Sequence, residues 1–347
     1  MSVRIGYGVL TCQRLAGSDR PFEDIYADEL AYAVAAEDLG FDSVWLSEHH
    51  FTEDGYLSAI FPMMAAIAAR TTRVDLGTDV ILSPMHHPLR FAEDAAAVAV
   101  LAGATRTLQL GLAIGYRDEE FQAWGVPKSE RVARLVEHVE VARKAWTGER
   151  FSHRGPALEV TDLVLRPAPA RPPQLWIGGW VDAAIRRAAR IGDGYVSPST
   201  GVRDTARRIA ILDEEAARIG RAEPVPVSTF TWSAFDDGGG ISPGVRAGVA
   251  HLHEGYREWY SSSSDWGGGR EFGEKLASFS DGTGWIQSGT SEQLLHRLGT
   301  LASSVAPDRQ FELGVRLHYP GMERAEVLDA MARFAAEVMT PLRALWA

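Results

Sequence analysis

Cysteine is nearly absent: Cys12 stands alone in 347 residues, so no internal disulfide framework exists and a reducing setting is expected. Basic residues are also short, with 35 Lys and Arg against 46 Asp and Glu. The resulting net charge of −11 argues against nucleic acid or an anionic membrane as a partner. The longest run of apolar residues and glycine, 95–104, is too short to span a bilayer. Residues 1–7 read as a first strand and not as a signal peptide, so the expected location is the cytoplasm. No P-loop occurs and no G-x-G-x-x-G follows a strand pattern, which argues against a built-in nicotinamide domain. Ser-His-Asp hydrolysis finds little support.

What is present is a large apolar content, 46% against 23% charged, as in a globular protein with a sizeable core. The length fits a (β/α)8 barrel with insertions, expected as a single domain over residues 1–347. Strand patterns at 3–10, 42–47, 74–82, 107–112, 175–177, 195–197, 226–232 and 311–318 alternate with helical ones. The helices fall at 22–39, 57–70, 88–101, 129–146, 181–190, 202–219, 242–259, 292–303 and 324–345, with a shorter turn at 119–124. This α/β rhythm predicts a parallel barrel sheathed by helices, with a doubly wound open sheet as the structural alternative. Residues 151–173, rich in proline, break the rhythm and read as an inserted hairpin with β-like runs at 158–160 and 163–165. Residues 261–270, mostly serine and glycine, read as a mobile lid.

The chemistry is expected where strands end. The run from Val44 to Gly55 starts apolar and turns abruptly polar, delivering Glu48, His49, His50, Glu53 and Asp54 to one rim. Three further stretches, 78–87, 111–117 and 178–182, occupy the same rim. A catalytic metal is disfavoured. Adjacent histidines at 49–50 and 86–87 point apart on a strand, and His251 and His253 do not share a helix face. Gly178-Gly179 before a helix forms either an anion cradle or a tight turn. Arg131 could reach a phosphate there, or pair on the surface with Glu130 or Glu137. Tyr195, Trp232 and Tyr319 near strand ends hint at an aromatic-lined pocket.

The run Phe41-Asp42-Ser43-Val44-Trp45-Leu46-Ser47-Glu48-His49-His50-Phe51-Thr52-Glu53 resembles the bacterial luciferase-like flavin monooxygenases, and in particular the luciferase α subunit. The likeness continues at Gly77-Thr78, His87-Pro88-Leu89-Arg90 with Glu93-Asp94, residues 111–125, and Gly289-Thr290. It implies a TIM barrel, reduced FMN from a separate reductase, dioxygen as co-substrate, a small organic substrate, and a homodimer. The alanine-rich helices at 63–69 and 95–102 are where the family usually dimerises. His49 falls on the family's active-site histidine, with Glu48 or Glu53 expected to orient it. Arg131 and the loop from Gly178, Gly179, Trp180 and Val181 to Ala183 fall on its phosphate site. Thr78 and the Asp79–Val80 peptide, expected to be cis, fall beneath the flavin ring. Ala113 stands where luciferase has its reactive cysteine, and Ile114 where it has a second phosphate arginine. Trp180 and Ala183 replace hydroxyl side chains, with Arg117 as a conceivable substitute. These departures argue against light emission and leave the cofactor open. The alternatives are a deazaflavin coenzyme in a hydride-transfer oxidoreductase of the same barrel, and a flavin-binding subunit without activity.

Overall fold

The computed structural model describes residues 3–198, 202–264, 286–305 and 309–345. Eight parallel strands form the ring: β1 (Val3–Leu10), β2 (Ser43–Leu46), β3 (Asp75–Leu82), β4 (Leu108–Ala113), β7 (Gln174–Gly178), β8 (Gly194–Ser197), β9 (Val227–Phe235) and β11 (Phe311–Arg316). Pairing of β8 with β9 and of β11 with both β9 and β1 closes it, so the barrel holds and the open sheet does not. The sheathing helices are α1 (Phe22–Asp38), α2 (Ile60–Ala68), α3 (Pro88–Ala102), α4 (Asp118–Trp124), α5 (Arg131–Trp146), α6 (Asp182–Ile191), α7 (Val202–Arg218), α8 (Pro243–Ser262), α9 (Ser291–Ser303) and α10 (Arg324–Phe334).

Three departures from the sequence reading have local causes. The insert is an antiparallel hairpin, but its strands are β5 (Phe151–Arg154) and β6 (Glu159–Leu163). A short strand, β10 (Ile286–Gly289), pairs along the outer half of β9. Its polar Gln287 and Ser288 hide it from any apolar pattern. The closing helix does not run unbroken to residue 345. It widens into a π turn over Ala335–Met339 before Pro341, whose ring would crowd the carbonyl four residues back. The Thr340 hydroxyl donates to Ala335 O at 2.9 Å across that turn.

The barrel interior is filled by large rings set against glycines on neighbouring strands. Trp45, Trp176 and Phe230 meet edge to face, with Trp45 centroids 6.3 and 5.0 Å from the other two. A Cβ at Gly77 would lie 2.4 Å from the Trp45 ring, and one at Gly314 1.9 Å from Phe230. This layer is the floor on which the site rests. Beneath it, Glu312 accepts from Arg4 and Ser43 and ties the last strand to the first two.

Candidate functional site

Above the floor, at the C-terminal ends of the strands, lies a cavity of about 420 Å³. All four stretches singled out in the sequence reach it: Ser47, Glu48 and His49; Asp79, Val80 and Leu82; Ala113 to Tyr116; and Gly178 to Val181. Arg131, from the first turn of α5, lines it too. Thr78 does not. It sits behind the wall, its hydroxyl donating to Gly111 O at 3.1 Å, and so supports the β3–β4 pair. The Asp79–Val80 peptide is cis.

The loop after β2 is pinned so that its histidines diverge. His49 N donates to Leu57 O at 3.2 Å, and Leu57 N to Thr11 O at 2.8 Å. Gly55 has φ +72°, and any Cβ there would lie 2.2 Å from the Phe22 ring, so only glycine closes the turn. Asp54 accepts from Gln13 at 2.7 Å and from His251 at 3.0 Å, which absorbs the His251 imidazole in a structural contact. Glu48 turns away from His49. It accepts Leu82 N at 2.7 Å and His86 Nε2 at 2.8 Å, clamping the segment that follows β3. Burial pushes the Glu48 carboxyl up, yet the adjoining His86 and His50 hold it well below its ordinary range.

Neither flanking carboxylate orients His49, contrary to the sequence expectation; Glu53 is exposed. The partner is Glu120, on α4, whose Oε1 lies 3.0 Å from His49 Nδ1 and accepts His50 N at 3.0 Å. Arg117 does not stand at the glycine loop, where the sequence offered it as a substitute. It donates to His50 O at 2.7 Å, lies 3.3 Å from Glu120 Oε1, and stacks on Trp259 at 4.7 Å. Burial acts to raise the Glu120 carboxyl, but His49, the His50 amide and Arg117 hold it below its ordinary value. The sequence carried a hint, since Glu120 lies in the first turn of a helix that follows a strand end.

Aromatic rings enclose the imidazole. Tyr56 and Trp259 each stand 4.9 Å from it, and Tyr116 stands 5.7 Å away. Tyr116 stacks on Tyr260 at 4.5 Å with planes 4° apart. Of the aromatics expected at the pocket, Trp232 lines it. Tyr195 instead pins the glycine loop, its hydroxyl donating to Gly179 O at 2.8 Å, and Tyr319 donates to Ser233 O at 3.0 Å.

The glycine loop presents backbone, not hydroxyls. Gly179 has φ +152°, and a Cβ there would lie 2.5 Å from that of Ala184, so the chain can run this close to α6 only without a side chain. The amides opening the ten-residue α6 and the Arg131 guanidinium together suit an anion. Asp79 on the cavity wall has no hydrogen bond or ion pair among the described residues, and burial pushes its carboxyl up to about 7. The run Gly240-Ile241-Ser242-Pro243-Gly244 has the G-x-S-x-G form, but Ser242 is the N-cap of α8, accepting Val245 N at 3.1 Å. Among the described residues no cluster of three metal-ligating side chains occurs, and no helix is long and apolar enough to cross a membrane. Of the expected lid, Ser261 and Ser262 end α8, and Ser263 and Ser264 bond to Tyr116 O and Asp118. Residues 265–270 lie outside the described residues.

An F420-dependent glucose-6-phosphate dehydrogenase of Nakamurella multipartita is 34% identical over 184 residues, covering 51% of this chain and 54% of the relative. The chain thus spans about half the length of the curated relatives it matches. A monooxygenase of Streptomyces bottropensis superposes with a TM-score of 0.76 at 20% identity, over 98% of this chain and 99% of its own. An F420-dependent secondary alcohol dehydrogenase, solved with an F420-acetone adduct, gives 0.74 at 18% identity, over 99% of both chains. At these identities the two likenesses are of fold. The family profile described as luciferase-like monooxygenase matches residues 3–336, and the chain belongs to that family.

Proposed function

We propose that the chain is an oxidoreductase that holds a deazaflavin coenzyme in the cavity and exchanges hydride with a small organic substrate. The observation that carries the choice of cofactor is the wall of the phosphate loop. Trp180, Val181 and Ala184 offer no hydroxyl; Arg131 lines the cavity wall with them, and Arg208 lies over the Trp180 ring at 5.6 Å. A phosphodiester such as that of F420 bears one negative charge, whereas the FMN phosphate bears nearly two and three strong acceptor oxygens. The sparser cradle suits the former. The curated F420-dependent relatives support the same reading.

Bound there, the cofactor would supply or accept the hydride. The chain's own part is proton handling and shielding. With Nδ1 held against Glu120, His49 has Nε2 left to take a proton from, or return one to, a substrate oxygen. The rings around it exclude water. Reduced FMN from a separate reductase, with dioxygen, is the second reading, supported by membership of a family described as monooxygenases.

Anaerobic equilibrium titration of the cofactor-free protein with each reduced cofactor tests the choice. The deazaflavin should bind the more tightly, and admitted air should leave the bound coenzyme reduced. Arg131→Ala should weaken that binding roughly tenfold or more, the loss of a charge-assisted contact of about 1.5–3 kcal/mol. Tighter FMN binding with oxygen consumption would give the second reading instead, and unchanged affinity in the variant would remove Arg131 from the phosphate site.

A further inference from the structure

Arg316 ends the last barrel strand and is 2% exposed. Its guanidinium is fixed on two sides. Nε donates to His318 O at 2.9 Å, and Nη2 donates to Thr11 Oγ1 at 2.9 Å. The rings of Trp232 and Tyr319 flank it at 5.8 and 5.9 Å. Nη1 makes no hydrogen bond among the described residues, and no carboxylate among them lies within ion-pair distance of the group. Glu29 is turned elsewhere: its Oε1 accepts Cys12 N at 3.2 Å, and its Oε2 faces His318 Nε2 at 3.5 Å. Burial pushes the Glu29 carboxyl up to about 7 against the pull of the Arg316 charge, so Glu29 is only a weak counter-charge outside ion-pair contact.

A buried cation without a carboxylate in ion-pair contact is costly, and arginine cannot shed its proton to relieve the cost. Arg316 lines the same cavity as His49 and Arg131. Around the ring, however, the order β4, β7, β8, β9, β11 puts it on the side opposite the strand that leads to Arg131. The anion it awaits is therefore not the one at the glycine loop. The cavity wall near it carries Trp232 and Tyr256, whose ring centroids are 6.2 Å apart.

We propose that Arg316 anchors an oxyanion of the substrate, so that the substrate is an organic acid whose apolar or aromatic body lies against Trp232 and Tyr256. The proposal rests on reading the cavity as the substrate site. A planar guanidinium with one free edge fits a carboxylate or a phosphate ester, and either is held by the same charge-assisted bonds.

The test uses the full chain without cofactor, so it stands apart from the choice of deazaflavin or FMN. Tryptophan fluorescence is titrated with 3-phenylpropionate, phenyl phosphate and the neutral 3-phenylpropionamide. At least one anion should bind tenfold or more tightly than the amide. Which anion wins assigns the substrate to carboxylates or to phosphate esters. Arg316→Met should abolish the preference and leave amide binding unchanged, while Arg316→Lys should keep part of it. Equal binding of acid and amide, a preference that survives in Arg316→Met, or no saturable binding of any probe would overturn the proposal. Should Arg316→Met fail to fold, Arg131→Met separates the two anion sites: the preference should survive that substitution, and its loss there would overturn the proposal.

Discussion

The imidazole of His49 is held at one nitrogen by Glu120, and its other nitrogen is left to the cavity. General acid–base assistance is typically worth about 10²–10⁴-fold, so His49→Ala should lower kcat by that order with cofactor affinity nearly unchanged. Stopped-flow turnover beside equilibrium titration checks both halves. Glu120 acts through His49, so Glu120→Gln should lower kcat less and leave KM alone, and Glu120→Asp should recover part of the loss. A KM that rises with kcat intact would place Glu120 in binding instead. Asp79 gives a stability signature. Its carboxyl is raised from 3.8 to about 7 by burial, so the folded chain holds the proton more tightly than the unfolded one. Stability contributed by the neutral acid is therefore lost as pH climbs from about 4 to 7. Asp79→Asn should gain in Tm relative to the unaltered protein across that window and level off above it. Parallel melting curves would remove Asp79 from the buried wall.

At the scale of elements, the segment after β3 is held by the Glu48–His86 pair. Burial pushes the His86 imidazole down, but the Glu48 carboxylate lifts it above its ordinary 6.5. A raised histidine contributes fully below its unfolded pKa, and the contribution fades as pH rises through the folded value. The drop in Tm caused by His86→Gln should thus be larger at pH 5.5 than at pH 9, and melting curves at the two values decide it. Helix α8 is the other element that shapes the site, since Tyr256, Trp259 and Tyr260 all come from it. Its contribution was not legible in the sequence, because aromatic spacing along a helix looks the same whether the rings face a core or a cavity. Glu120 was hidden for a related reason. It is 71 residues from His49, and only the alignment of α4 over the β2 rim brings the two together. The strand ends were legible, because an apolar run that turns polar within one or two residues marks the rim of a barrel by itself. Thr78 belonged to the same run, yet a strand turns alternate residues to opposite faces, and its hydroxyl faces β4.

For the whole molecule, the alanines of α3 speak to assembly. Ala95, Ala96, Ala99 and Ala102 are buried within the chain's own fold, so their small size serves internal packing. What α3 shows outward is Val100 at 49% and Leu101 at 54% exposure. A dimer through this face should separate in Val100→Lys/Leu101→Lys, and sedimentation velocity reads the change; a monomer before substitution would sink the assignment. The seam between β1 and β11 has a different consequence. Arg4 and Glu312 meet across it from positions 308 residues apart. During synthesis at roughly 5–20 residues per second, the edge of β1 waits on the order of 15–60 s for its neighbour. Until then β1 lacks the partner that completes its pairing, and the ring cannot close. The cavity, Arg316 included, is complete only once β11 docks between β9 and β1.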